Sequence, residues 1–212
     1  LTLTTVLITH RHHDHTNGLA ELRSKHPQIP VYGHNSIAHI THALTGGEIL
    51  NIKDFGRFLV LDTKGHTQYH LAYYHLQQKL LYCGDSLFSG GCGRIFPDGS
   101  AENSYHSLQK ISLLPEDTQV CGSHEYTLDN LAFAQHIEPN NLELINYQRH
   151  CQQLRQQNLA TLPSTLRTEK RINPFLRCHL LGSRLADLTQ QPILAPIQTF
   201  CTLRRYKGQW SA

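Results

Sequence analysis

The chain has 212 residues, 39% of them hydrophobic and 17% charged. That length and balance suit one large domain, or one domain with a smaller companion, and exclude a disordered or heavily solvated chain. A formal charge of +3 is too mild to argue for nucleic-acid binding, and no apolar stretch approaches the ~18–20 residues of a membrane span.

Residues 5–9 form a short apolar and β-branched run (Thr5, Val6, Leu7, Ile8, Thr9), which predicts a strand buried on both faces. Residues 10–18 read as a polar loop. A short helix starts at Leu19 and stops before Pro27, and residues 29–32 and 58–61 read as further strands. Residues 71–76 and 79–83 flank Gln77-Gln78 and predict a hairpin, although its turn carries neither glycine nor asparagine. Residues 84–99 are rich in glycine. Tyr105, Leu108, Ile111 and Leu114 have helical spacing over 102–114, and Pro115 ends that helix. Residues 118–121 give a last short strand. Helices are then expected over 131–136 and 142–154, the second with Leu144, Tyr147, Cys151 and Leu154 on one stripe. Four prolines beyond Leu159 (Pro163, Pro174, Pro192, Pro196) predict a tail of short pieces. The expected division is a mixed α/β part, 1–125, and a mainly helical part, 126–212.

The chain lacks methionine and opens Leu1-Thr2-Leu3 just before a strand, so a missing N-terminal piece is expected. None of the cysteines (Cys83, Cys92, Cys121, Cys151, Cys178, Cys201) forms a CxxC pair. Without a signal peptide they read as reduced, mostly buried thiols, and the expected compartment is the cytoplasm.

Sixteen histidines are the outlier, because histidine is the commonest metal ligand and acid–base group. The densest cluster is Thr9-His10-Arg11-His12-His13-Asp14-His15. On an extended loop His10 and His12 project to the same side, while Asp14 and His15 can turn toward a second point. Imidazoles with a carboxylate suit zinc, iron or manganese better than magnesium or calcium, and two ions would use the four groups well. Three more candidates, His66, Asp85 and His124, each follow a predicted strand, where α/β folds build their sites. Taken singly, His66 and His124 read as ordinary polar residues and Asp85 as a turn cap; the repeated placement carries the signal. The remaining histidines read as surface or packing residues, with His13 and His70, nearest the cluster, as the first exceptions to expect.

The His-x-His-x-Asp-His loop with its later His, Asp and His resembles the metallo-β-lactamase superfamily. Within it, the chain is most similar to the hydroxyacylglutathione hydrolase (glyoxalase II) family. Gly84-Asp85-Ser86-Leu87-Phe88-Ser89-Gly90-Gly91-Cys92-Gly93-Arg94, Ser123-His124-Glu125-Tyr126-Thr127, Asn173-Pro174-Phe175-Leu176-Arg177 and Leu203-Arg204-Arg205-Tyr206-Lys207 carry that likeness. It implies an α/β fold, an αββα sandwich short of its first strands, followed by a small C-terminal helical domain. It also implies two divalent ions, zinc ahead of iron or manganese. One would be held by His10, His12 and His66, the other by Asp14, His15 and His124, with Asp85 bridging them. Asp14 and Asp85 are then the catalytic carboxylates, and Arg94, Tyr126, Arg204 and Lys207 the glutathione contacts. The implied reaction cleaves S-(2-hydroxyacyl)glutathione, in practice S-D-lactoylglutathione, to D-lactate and glutathione, the second step of methylglyoxal detoxification. The implied partner is this small thioester, with no nucleic acid or membrane, and the implied state is a monomer. The chain departs from the family pattern in several places. The family opens with about one strand pair more, Arg11 stands where histidine or lysine is usual, and Lys64 and Tyr69 replace a proline and a glycine around His66. Phe96 stands where some members have a glutathione-binding tyrosine.

The chemistry is consistent with this reading. Two divalent cations set against Asp14, Asp85 and one hydroxide leave a net positive site, and glutathione is a net anion whose carboxylates suit arginine forks. A thiol of pKa ~8.5 leaves as its thiolate without a general acid. Other readings stay open: a lactonase or broader thioesterase of the same superfamily, or a non-catalytic metal-binding fragment. Arg204, Arg205 and Lys207 read equally as a solvated basic tail, Arg94 as a surface charge, Tyr126 as packing and Cys92 as a small buried side chain.

Overall fold

The computed structural model describes residues 2–190, 192 and 195–210. Its first sheet has three strands in the order β1 (Val6–Leu7), β2 (Val31–Gly33) and β3 (His42–Ala43), all parallel. Helices α1 (His13–Thr16) and α2 (Leu19–Lys25) lie between β1 and β2 in the chain. The second sheet has six strands, among them β4 (Ile49–Ile52), β5 (Gly56–Asp62), β6 (Leu71–His75) and β7 (Leu80–Gly84). A short ribbon, β8 (Leu87–Phe88) with β9 (Gly91–Cys92), precedes α3 (Ala101–Ser112), and β10 (Gln119–Gly122) pairs parallel to β7. The helical part holds α4 (Thr127–Ile137), α5 (Leu142–Gln156), α6 (Leu166–Ile172), α7 (Gly182–Thr189) and α8 (Pro196–Gln209). It also returns a short strand, β11 (Ser164–Thr165), which pairs with β10 and ends the second sheet in the order β11-β10-β7-β6-β5-β4.

The layers follow from side-chain alternation along the central strands. In β5 and β6, Phe58, Val60, Leu71 and Tyr73 face the first sheet, where Leu7 and Tyr32 meet them. Their neighbours Leu59, Leu61, Ala72 and Tyr74 face a larger core shared with Leu108 and Ile111 of α3, Phe133 of α4 and Phe200 of α8. Such a period of two with both faces apolar marks strands buried between layers. On the outer face of the first sheet, Val6, Ile8 and Val31 pack with Leu19 of α2. The stack is therefore helix, sheet, sheet, helix, the αββα sandwich expected.

Most predicted elements are present, with instructive differences. Residues 5–9 do serve both faces, but the strand is only Val6–Leu7 and half-buried, because β1 lies at an edge of its sheet among the described residues. The expected polar loop contains one helical turn, α1, steadied by the Thr16 hydroxyl donating to the His12 carbonyl at 3.0 Å. The hairpin turn is made without glycine because Lys79 itself adopts φ 54°. The tail is not only short pieces: Pro196 opens the fourteen-residue α8, where the missing N–H of a first-turn proline costs nothing. Among the described residues no helix is long and apolar enough to cross a membrane.

Phe175, fully buried, joins the helical part to the sheet core, packing on Phe133 and Phe200. Phe175→Ala is expected to cost about 3–5 kcal/mol, read as a lower urea midpoint with an unchanged slope.

Candidate metal centre

The candidate ligands meet where strands of the two sheets end. His10 leaves β1 in extended form and pairs with His70 across an isolated antiparallel bridge. His12, at φ −62° and ψ 150°, keeps the chain extended up to α1, so His10 and His12 point the same way. His10 Nε2 lies 3.0 Å from His12 Nδ1, and His66 Nε2 lies 2.9 Å from that same atom. The His66 Nδ1–H donates to the Arg94 carbonyl at 2.7 Å, which leaves Nε2 of the neutral ring as a bare lone pair aimed inward. With His66 Nε2 bare, a single hydrogen on His12 Nδ1 would have to serve both neighbours; a shared cation would engage all three lone pairs. Together with Asp85, their donor atoms lie within 4.8 Å of one another.

The turn of α1 carries Asp14 and His15 to a second point, where they meet His124, which follows β10. These three donors also lie within 4.8 Å of one another. Asp14 Oδ2 is 3.3 Å from His124 Nε2 and 3.4 Å from His15 Nε2. His15 Nε2 is buried and has no hydrogen-bond partner, an orphan that a cation would claim. Asp85, directly after β7, stands between the groups. Its Oδ2 is 3.4 Å from His66 Nε2, and its Oδ1 is 3.3 Å from His15 Nε2 and 3.5 Å from His124 Nε2. The Ser123 hydroxyl donates to Oδ1 at 2.7 Å and fixes that orientation.

Electrostatics divide the donors. Burial, reinforced by neighbouring His70 and His15, drives the His10 pKa far below the ordinary imidazole value; burial also lowers His12 and His66. Those rings are thus neutral, the state a metal ligand needs. His15 is raised instead by the Asp85 carboxylate beside it. For Asp85, burial works upward, but His15, Ser123 and His10 outweigh it and hold the carboxyl below the usual carboxylate range.

The centre forms the floor of a cleft of about 600 Å³. Arg94 and Tyr126 stand exposed on its wall, with the Tyr126 ring stacked on His124 at 5.0 Å between centroids. Arg204 is buried, donates to the Cys92 carbonyl at 2.9 Å and lies over the Phe175 ring. Lys207 donates to Asn130 Oδ1, and burial, with Arg204 nearby, lowers its pKa to about 8. Arg204 and Lys207 therefore belong to the cleft rather than to a solvated tail.

Residues 1–124 match the metallo-beta-lactamase superfamily, and residues 125–210 match the family described as hydroxyacylglutathione hydrolase C-terminus. A hydroxyacylglutathione hydrolase of Shewanella pealeana is 47% identical over 211 residues, covering 97% of this chain and 79% of the relative. One from Aliivibrio salmonicida is 42% identical, covering 99% of this chain and 82% of the relative. The chain belongs to the hydroxyacylglutathione hydrolase family. In fold it is similar to the crystal structure of ETHE1 from Myxococcus xanthus, with a TM-score of 0.62, 25% identity, and 95% of this chain and 79% of that one covered.

All seven candidate ligands of this family member converge, and all four candidate glutathione contacts line one cleft. Sequence reasoning passed over Ser123, which orients Asp85, and Asn130, which lines the cleft beside Lys207. Asn130 left a signal: it is a polar residue on the buried stripe of α4 with Phe133, Ala134 and Ile137. The close approach of the chain at Gly93 is a further constraint. A Cβ there would fall 2.0 Å from the Asp85 carbonyl oxygen and 2.9 Å from His66 Nδ1. Gly93→Ala is expected to push both donors outward and to cost about 1–3 kcal/mol of stability. Metal content by elemental analysis, with circular dichroism as the control for folding, reads the outcome as a folded protein that retains less metal.

Proposed function

We propose that the chain hydrolyses S-(2-hydroxyacyl)glutathione at a dinuclear metal centre, with His10, His12 and His66 holding one ion, Asp14, His15 and His124 the other, and Asp85 shared. The observation that carries this reading is the Asp85 carboxylate, whose two oxygens face two separate donor groups. Mixed imidazole and carboxylate donors suit zinc, iron and manganese alike, and zinc is the ion proposed. Divalent cations bound there supply the Lewis acidity that ionises a water near neutral pH and polarises an acyl carbonyl.

The chain's own residues supply position and charge. Asp14 and Asp85 offset part of the cationic charge, leaving the floor of the cleft positive toward an anionic thioester. Arg94 and Lys207 point charge into the cleft, and Arg204 adds to the positive wall from a fixed position. Glutathione carboxylates are matched by these groups through charge-assisted hydrogen bonds, with Tyr126 offering a ring face and a hydroxyl. The leaving thiolate, from a thiol of pKa ~8.5, needs no proton donor. In this reading residues 1–125 hold the metals, and residues 126–212, joined by Arg94 from the first part, grip the glutathione. The substrate is S-D-lactoylglutathione, the product D-lactate, and the step the second of methylglyoxal detoxification. Six free thiols support a reducing compartment such as the cytoplasm, and one chain supplies every candidate group, so a monomer suffices.

The test measures metal content and thiol release from S-D-lactoylglutathione on one preparation. Expected are two ions per chain, turnover lost to a chelator, and its return on adding zinc; a metal-loaded chain inert to this thioester sinks the proposal. Asp85→Ala is expected to remove metal retention and turnover together. Lys207→Ala is expected to raise KM roughly 10-fold, the worth of one charge-assisted hydrogen bond, with kcat little changed. Because Lys207 is cationic below and neutral above about pH 8, KM of the unaltered chain should rise between neutral and alkaline pH, and Lys207→Arg should flatten that rise.

A further inference from the structure

His70 does not line the cleft, yet it is 1% exposed and touches three of the segments that carry the candidate ligands. Its Nε2 accepts the main-chain N–H of Asp85 at 3.2 Å. That acceptance settles the tautomer: the hydrogen sits on Nδ1, which faces the Thr63 hydroxyl at 2.8 Å and the Ser86 hydroxyl at 3.0 Å. The Ser86 hydroxyl donates in turn to the Thr63 carbonyl at 3.2 Å and the Thr63 hydroxyl to the His70 carbonyl at 3.4 Å, so the network closes with every hydrogen placed. Thr63 leads into the loop that carries His66. The His70 ring also stacks on His10, 4.7 Å between centroids and 25° between planes, while its backbone bridges to that of His10. Space around the ring is tight, since a Cβ on Gly84 (φ +51°) would meet its Cε1 at 2.9 Å.

We propose that His70 is a positioning residue that sets where Asp85 and His10 stand relative to the His66 loop, and so fixes the spacing of the metal donors. The inference rests on the metal reading above. A carboxylate that must face two ions tolerates little displacement of its own backbone, and the Asp85 N–H is anchored by this one imidazole nitrogen. Outer partners of this kind typically contribute about 10–100-fold to metal affinity when removed.

Two polar variants separate positioning from filling of the space. The His70→Gln side chain reaches about as far as Nε2 and can still accept the Asp85 N–H. The His70→Asn side chain reaches only as far as Nδ1 and keeps Thr63 and Ser86 but not Asp85. Zinc affinity is measured by chelator competition, alongside melting of the metal-free protein and kcat and KM for S-D-lactoylglutathione. His70→Asn is expected to weaken zinc by about 10–100-fold and to lower kcat with KM unchanged, while His70→Gln stays within a few-fold of the unaltered chain. Equal affinities in all three proteins, or equal losses in both variants, overturn the proposal. An unaltered chain that takes up no zinc overturns the metal reading itself and this inference with it.

Discussion

An ionised carboxylate under a ring of imidazoles is the constraint on which the rest of this structure depends. Asp85 is 8% exposed, and a buried negative charge without a partner is expensive. Every nearby feature answers that cost: a hydroxyl on one oxygen, ring nitrogens around both, and a backbone held from behind. The neighbouring glycines follow from the same demand, because Gly84 lies against the Thr9 and His70 side chains, and Gly93 against the Asp85 carbonyl and the His66 ring, more closely than a Cβ allows. The fold meets the demand by ending strands of its two sheets at one rim, so that loops remote in sequence deliver their donors to a common point.

The helical part shapes the cleft through a second buried carboxylate. Glu169 of α6 is fully buried, and burial raises its pKa. It accepts the Ser89 hydroxyl at 2.8 Å, the Gly90 N–H at 2.9 Å and the Asn173 side-chain amide at 3.0 Å. The segment between β8 and β9 is thereby held to the helices from one side while Arg204 grips the Cys92 carbonyl from another. Arg94 follows directly, so the charge that faces the cleft is placed by packing that begins some distance from it.

Much of this was legible in the residues alone, and the reasons differ by element. The metal loop was readable because extended spacing and a following turn impose their geometry locally; His10, His12, Asp14 and His15 need no distant information. Strands β5 and β6 were readable because both faces are apolar. Strands β3, β8 and β9, two residues each, are too short to show a period, and β4, half exposed, lies at a sheet edge among the described residues. The burial of Arg204 was not legible, since a cation in a basic run looks the same whether solvated or laid over Phe175. Ser123 was hidden for a related reason, and of His70 only its nearness to the cluster was legible: their importance lies in which backbone or carboxylate they meet, a matter of tertiary contact.

The small strand β11 has a consequence out of proportion to its size. Its two residues come from within the helical half, yet they cap the flank of β10 with antiparallel pairing. Severing the chain near residue 125 would strip that cover and leave unpaired amides along the β10 edge, an invitation to intermolecular pairing. The sandwich and its helices are thus joined through a shared sheet as well as through a shared core.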